Sequence, residues 1–314
     1  MNKSLISLVV LLLLVISFTP FTHAASTGVI ISNSNNAINI GLIDYTNPSQ
    51  TIPPSLTIPG LQYITNGYFQ ASAYSYSKKM LTFVATDPIT SSTYLYVVDC
   101  NNWSVMSSLE IEGGAGSGFR GLAVDTITNT PYNTWITVQS GNMLTISQLD
   151  VFTLKAKTIE TFPGTFSTGI IGGTRVYSLA FSNSSGLFVK QYSRYSELTI
   201  EQQVGFNIDV APKGPINMVN TINDIFSSVI ITNSDGSSYS ALSGLNWQQA
   251  QFTVSNMVTH TNFFPTANAR VANNFGLFCS IGYIGTQFYV YTYDVIKYEL
   301  LSVVPISTPI LAAF

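Results

Sequence analysis

An apolar segment that ends in a small polar residue and runs into a turn recurs along this 314-residue chain. Four clear copies end at Asp44, Asp99, Asp150 and Asp294. With two weaker copies ending at Ser193 and Gly244, the six elements are separated by 55, 51, 43, 51 and 50 residues. Such a period restricts the chain to folds built from repeated units, in which each unit packs against the next.

The repeated units consist of short strands. Runs of β-branched and aromatic residues alternate with clusters of Gly, Asn, Ser, Thr and Pro, which is the pattern of strands and turns. The third unit, for example, predicts strands at 119–124, 133–139, 143–149 and 156–162. Segments such as 94–98 and 288–291 are apolar at successive positions, so we expect both faces of these strands to be covered.

A period of 40–50 residues with four strands per unit resembles β-propeller repeat proteins. The resemblance implies one all-β domain over residues 25–314, with six four-stranded blades. The first unit, which begins at Thr27, shows only three strands, and we expect the tail at 310–314 to supply the fourth and close the ring. Seven blades or a pair of β-sandwiches are the alternatives. The WD40 and kelch signatures are absent from the sequence, so the resemblance assigns no functional residues.

The first 24 residues have the pattern of a secretory signal peptide. Lys3 gives a positive start, Leu, Val and Ile dominate residues 5–18, Pro20 ends that run, and Ala24 precedes the expected cleavage point. An uncleaved membrane anchor is the alternative, but crossing the hydrocarbon core takes about 20 apolar residues. We therefore expect a secreted, extracellular protein with no membrane span after cleavage.

The low charge of the chain limits the kinds of partner that it can bind. Charged residues make up 9% of the sequence, and the formal net charge of −3 becomes −4 when Lys3 is removed with the signal peptide. The basic residues are scattered, with Lys78 and Lys79 as the one adjacent pair. Because nucleic-acid binding needs a basic patch or stripe, we expect no nucleic-acid partner.

The two cysteines, Cys100 and Cys279, leave two interpretations open. A disulfide would persist in an oxidising compartment. Cys279, however, lies inside the apolar segment 276–281, where a free thiol acts as a small hydrophobic side chain. The sequence therefore favours two free thiols over a bridge.

Four residues are candidates for ligand binding. His260 is a candidate base or metal ligand near a central channel, although a structural histidine is the simpler interpretation. Arg120, Arg175 and Arg270 lie near the ends of expected inner strands of different units, where they would hold an anionic ligand at one mouth of the channel. Solvated charges at loop ends are the alternative for these arginines.

The sequence contains no recognisable metal or cofactor motif. After the expected cleavage, the one remaining histidine and two distant cysteines cannot complete a zinc site, so we expect no zinc and no cofactor, while calcium ligands from separate units stay open. The recurring residues Asp44, Asp99, Asp150 and Asp294 are expected to accept hydrogen bonds from the backbone of the following turn. A set of catalytic carboxylates is the alternative.

Two sequons are candidates for N-glycosylation in a secreted chain. They begin at Asn102 and Asn183, and both lie in predicted turns, where a glycan remains in water.

The abundance of aromatic residues suits a recognition surface. The chain has 17 Tyr and 19 Phe but few charges, and Tyr combines a large apolar area with one hydrogen-bonding group. We therefore expect an extracellular binding or scaffold protein that contacts a protein or a glycan through propeller loops.

A metal-assisted hydrolase with carboxylates in the central channel is the alternative, so whether the chain is an enzyme stays open. A lumenal or matrix component with a structural role is a third interpretation.

Overall fold

A computed structural model shows an all-β chain, and the strands of the residues that it describes form six sheets. It describes residues 27–49, 53–63, 71–111, 118–124, 134–171, 176–193, 199–203, 205–206, 217–220, 225–246, 251–271 and 274–314. None of these ranges contains an α-helix. The predicted all-β class is therefore confirmed.

The first three sheets follow the order of the chain. Sheet 1 contains β1 (Thr27–Ser34), β2 (Ala37–Asp44) and β3 (Leu56–Pro59). Sheet 2 contains β4 (Gln62–Tyr63), β5 (Ser72–Ser75), β6 (Met80–Thr86), β7 (Thr93–Asp99) and β8 (Ser104–Glu110), with both β4 and β5 paired to β6. Sheet 3 contains β9 (Phe119–Val124), β10 (Thr134–Ser140), β11 (Met143–Leu149) and β12 (Ala156–Pro163). The four strands predicted for the third unit are confirmed to within one residue.

Three further sheets repeat the same antiparallel pattern. Sheet 4 contains β13 (Thr165–Ile171), β14 (Val176–Asn183), β15 (Gly186–Ser193) and β16 (Thr199–Gln203). Sheet 5 contains β17 (Gly205–Phe206), β18 (Asn217–Asn220), β19 (Ile225–Thr232), β20 (Ser238–Asn246) and β21 (Gln251–Thr261), with β17 parallel to β21. Sheet 6 contains β22 (Phe264–Val271), β23 (Asn274–Ile284), β24 (Gln287–Asp294) and β25 (Glu299–Ile306). A last strand, β26 (Ala312–Ala313), joins sheet 1 beside β1.

Contacts between the sheets form a closed cycle. In order around the cycle, the contacting strands are β1 with β4, β5 with β9, β9 with β13, β13 with β18, β18 with β22, and β22 with β26. We call these the inner strands. Each lies on the edge of its sheet that meets the neighbouring sheets, except β1, which lies next to the edge strand β26. Since β26 belongs to sheet 1, the cycle ends where it begins. The predicted β-propeller is confirmed, and the number of blades stays a prediction.

The C-terminal strand closes the cycle, as the sequence predicted. Ile31 pairs with Ala312, and the Val29 and Phe314 backbones exchange two hydrogen bonds, with N–O distances of 3.2 and 3.0 Å. Sheet 1 therefore combines three strands from the start of the described chain with one from its end, which is the arrangement that latches a propeller ring.

The core lies between neighbouring sheets, where large side chains cover both faces of the strands. Between sheets 3 and 4, the rings of Trp135 and Tyr177 stack with centroids 5.3 Å apart, and those of Phe162 and Phe181 meet edge to face at 4.8 Å. These contacts explain why so many segments are apolar at successive positions. Each fully buried aromatic side chain contributes roughly 2–3 kcal/mol through the hydrophobic effect.

One lysine is buried in the same boundary. Lys190 on β15 forms ion pairs with Glu160 on β12 (2.6 Å) and Glu201 on β16 (3.2 Å), and its Nζ lies 4.4 Å from the centre of the Phe162 ring. The lysine therefore joins sheets 3 and 4 through charge as well as packing.

Both cysteines are free thiols, as the sequence favoured. Cys100 follows β7 in sheet 2, and Cys279 is buried in β23 of sheet 6, where its Sγ lies 3.7 Å from the Thr292 hydroxyl. Burial raises the pKa of each thiol to about 12.

Candidate functional site

The recurring aspartates begin the turns that follow the third strand of a sheet. Each carboxylate accepts a hydrogen bond from the backbone N–H two residues later, at 2.8 or 2.9 Å; the carboxylates belong to Asp44, Asp99, Asp150 and Asp294. The N–H of Asn101 and the amide groups around it also hold the pKa of Asp99 below its ordinary value. The predicted structural role of the repeated aspartate is therefore confirmed.

Three of these turns share a backbone conformation that bulky residues rarely adopt. The residue four positions after the aspartate has a positive φ: 52° at Trp103, 56° at Leu154 and 57° at Tyr298. In the Asp150 turn, the N–H of Leu154 donates to the carbonyl oxygen of Asp150 at 2.9 Å. The hydrogen bonds of the turn therefore hold its residues in a defined geometry.

These turns carry exposed apolar side chains. Phe152 and Tyr298 are each 45% exposed, and Ile296 is 78% exposed. We call these three side chains the hairpin tips. Their hairpins join the third and fourth strands of sheets 3 and 6, which places them on one face of a propeller because successive strands are antiparallel.

A related hairpin lies at the opposite end of sheet 2. The Asp87 carboxylate accepts from the N–H of Ile89 at 2.8 Å, and Ser91, four residues after the aspartate, has a φ of 61°. Ile89 is 86% exposed. Because this hairpin joins the second and third strands, it provides a matched control on the other face.

The structure describes three of the four predicted ligand-binding residues and places them on separate sheets. Arg120 lies on the inner strand β9, where its Nη1 donates to the carbonyl oxygen of Phe119 at 3.0 Å and burial lowers its pKa. Arg270 lies on the inner strand β22, opposite Phe278. His260 lies on β21, the fourth strand outward in sheet 5. Arg175 lies outside the described residues, and the predicted anion site stays a prediction.

Metal-binding groups are not assembled in the described part of the chain. No three His, Cys, Asp or Glu residues within it are grouped in a way that would hold an ion.

Both sequon asparagines are exposed, Asn102 in a turn and Asn183 at the end of β14. The Asn102 side chain donates from Nδ2 to Oδ2 of Asp99 at 2.8 Å, and Oδ1 of Asn183 accepts from the N–H of Ser185 at 2.8 Å. Their exposure is compatible with a glycan, and occupancy stays a prediction.

A groove lies at the seam where the ring closes. It has a volume of about 630 Å³ and runs between one face of sheet 1 and the segment 306–310, which begins at the last residue of β25 and leads towards β26. Alternate residues of the first strands form its floor: Ser32 and Ser34 on β1, and Ala37, Asn39 and Gly41 on β2. We call this space the seam groove. Its volume is in the range typical of small-ligand sites.

Uncharged polar side chains line the seam groove. The Asn39 amide donates to Oγ of Ser34 at 2.6 Å, and the Thr57 hydroxyl donates to Oδ1 of Asn39 at 2.9 Å. Ser32 is only 6% exposed and lies on the floor of the groove. Sequence reasoning missed this site, although small residues at alternate positions of β1 and β2 were a readable signal.

Comparisons with known proteins identify the fold but no family. No family model matches the chain, and no curated protein matches it. The structure of TolB from Acinetobacter baumannii is similar, with 10% identity, coverage of 91% of this chain and 66% of that chain, and a TM-score of 0.61. This chain thus spans slightly less than two thirds of the TolB chain.

A quinonprotein alcohol dehydrogenase-like protein from Bacteroides thetaiotaomicron is also similar. It is 10% identical, the match covers 90% of this chain and 76% of that chain, and the TM-score is 0.50. Both proteins are β-propeller-like, which agrees with the closed cycle of sheets. At this identity the likeness shows the fold alone.

The structure also bears on membrane spans. Within the described residues, no helix has the length and apolar character needed to cross a membrane.

Proposed function

We propose that this chain is an extracellular binding or scaffold protein that contacts a protein or a glycan through the loops on one propeller face. The observation that carries the proposal is the set of hairpin tips. Phe152, Ile296 and Tyr298 are between 45% and 78% exposed in turns of repeated geometry on the same face. A surface whose backbone is already ordered loses less conformational freedom on binding, so its apolar contacts contribute more to affinity.

The composition of the hairpin tips also fits recognition. Aromatic residues are enriched at the centres of protein interfaces, where they bury a large area with few rotatable bonds. The propeller supplies the rigid support, and the tips supply the contact.

Secretion is part of the proposal and rests on the sequence. Residues 1–24, which have the signal-peptide pattern, lie outside the described residues. Intact-mass analysis of protein from the culture medium should give a chain that begins at Ala25. A chain that keeps Lys3 in cellular membranes would contradict secretion.

The hydrolase alternative requires carboxylates around the central channel. In the described inner strands, the charged residues are Arg120 and Arg270, and these strands contain no Asp, Glu or His. This composition favours recognition over metal-assisted hydrolysis as the function to test first.

Proximity labelling outside the producing cell tests the proposed face. The chain is compared with a variant in which Phe152, Ile296 and Tyr298 are each replaced by Ser, and with the control Ile89→Ser on the opposite face. We expect the triple variant to lose a specific labelled partner by tenfold or more, while the control keeps it. Equal labelling by all three proteins would contradict the proposal.

A further inference from the structure

We propose that β25 pairs with β25 of a second copy of this chain and so forms a two-fold symmetric dimer. β25 is the outer strand of sheet 6, and among the described strands it pairs with β24 alone. An edge strand with one side unpaired is a template for a further strand. The pairing would join the two copies of sheet 6 into one continuous sheet, and it uses the edge of a blade rather than the hairpin tips.

The exposed side chains of β25 are apolar. Leu301 is 50% exposed and Val303 is 43% exposed, and Leu300 is exposed beside them. After Glu299, its first residue, the strand carries no charged residue as far as Ile306. Burying these side chains against another strand would remove apolar surface from water, which stabilises the pair by about 25 cal/mol for each Å².

Three other outer strands have the protection that edge strands usually carry, which is charge or short length. β12 contains Lys157 and Glu160, β16 contains Glu201, and β3 has only four residues. β8 resembles β25 more closely, because it exposes Met106, although it ends at Glu110. β8 therefore provides a matched control on sheet 2.

Pro305 shows which backbone groups of β25 point away from β24. A proline has no N–H, so in a sheet it occupies a position where that group would face away from the neighbouring strand. Backbone groups of residues two positions apart point to the same side of a strand, and the register with β24 is regular from Ser302 to Ile306. The N–H and C=O groups of Val303 are therefore directed towards a further strand.

The sequence of β25 favours a second copy as that strand. In an antiparallel pair centred on Val303, this residue lies opposite itself, and the two copies exchange both backbone hydrogen bonds. The same register places Leu301 opposite Pro305 of the second copy, so that apolar side chains meet. Glu299 lies opposite the uncharged Ser307, so no like charges face each other. Self-complementary contacts of this kind produce two-fold dimers, which are the commonest symmetric oligomers.

Sedimentation velocity over a concentration series tests the dimer with the full secreted chain. Val303→Lys and Leu301→Lys each place a charge on the edge of β25, and Met106→Lys on β8 is the control. We expect the unsubstituted chain and the control to reach twice the monomer mass as the concentration rises. Both β25 variants should dissociate at least about tenfold more readily, and thermal unfolding should show that all variants fold.

A cysteine at the two-fold axis tests the register. Val303→Cys places two thiols opposite each other, whereas Met106→Cys, equally exposed on β8, is the control. The two native thiols, Cys100 and Cys279, are shielded by burial. We expect the disulfide-linked dimer of Val303→Cys to form in air at least about tenfold faster, because pairing raises the effective concentration of the thiols.

A chain that stays monomeric at every concentration, a dimer that both β25 variants keep, a dimer that Met106→Lys weakens equally, or equal rates of cross-linking would overturn the proposal. A monomer whose labelled partner is lost in Val303→Lys would assign β25 to a different protein, which also overturns pairing with a second copy.

The hairpin tips provide the separation from the proposed function. Antiparallel pairing puts the turns at 294–298 of the two copies at opposite ends of the paired strands, so the hairpin-tip triple variant should keep the dimer. Loss of the labelled partner with the dimer retained therefore tests the tips alone, and loss of the dimer with the partner retained tests β25 alone.

Discussion

Val29 and Phe314 form a backbone pair that joins the two ends of the described chain. The hydroxyl of Tyr45 also donates to the carbonyl oxygen of Phe314 at 3.4 Å, and the Phe314 ring lies 6.0 Å from that of Tyr74 in sheet 2. Phe314 therefore contacts sheets 1 and 2 together. The stability of the whole ring should depend on this small region.

Gly28 should tolerate no larger residue. A Cβ at this position would collide with the carbonyl oxygen of Phe314 and lie 2.5 Å from the Tyr45 ring. We expect Gly28→Ala to lower the free energy of unfolding by about 1–3 kcal/mol, measured by urea denaturation. Gly41→Ala is the control, because its added methyl makes ordinary contacts, and should change stability by less than about 0.5 kcal/mol. Equal effects of the two substitutions would contradict the tight contact at the closure.

Lys190 should contribute to stability through packing and charge. We expect Lys190→Ala to lower the free energy of unfolding by about 2 kcal/mol, since both glutamate partners are partly exposed and regain water. Lys190→Met keeps the aliphatic contact with Phe162 and should cost about half as much. The two variants are compared by urea unfolding, and a loss below about 0.5 kcal/mol in both would show that the ion pairs and packing are unimportant.

Both cysteines should be unreactive in the folded chain. Because burial raises the pKa of Cys100 and Cys279 to about 12, the reactive thiolate is scarce at pH 8 and becomes available only when the chain unfolds or the pH rises towards 12. A colorimetric thiol reagent should therefore label neither residue in native protein and both in denaturant without reductant. No labelling in denaturant would reveal a disulfide, and rapid native labelling would contradict the burial.

The sequence predicted the architecture because the architecture is repetitive. The aspartate at the end of the third strand is a local signal, and even the weaker copies at Ser193 and Gly244 mark the equivalent strands β15 and β20. The role of 310–314 was predictable because the first unit lacked one strand.

The seam groove could not be predicted in the same way. It exists only because residues 306–310 meet the face of β1 and β2, and the sequence pattern does not report how closely such distant segments approach. The anion site expected from the three arginines shows the same difficulty. Their positions near strand ends can be read from the sequence, but such a position does not determine whether their side chains lie close together.

Closure of the ring by the C-terminal strand is the central structural claim, and a cross-link tests it most directly. Ile30 and Ala313 are direct partners, so their side chains lie on the same face of sheet 1, whereas Ile31 and Ala313 are offset by one residue and point to opposite faces. Two double cysteine variants are therefore compared by mass spectrometry without reductant after oxidation in air. We expect Ile30→Cys with Ala313→Cys to form the disulfide and Ile31→Cys with Ala313→Cys to remain reduced. Failure of the first pair to cross-link, or equal cross-linking of both, would contradict the closed ring.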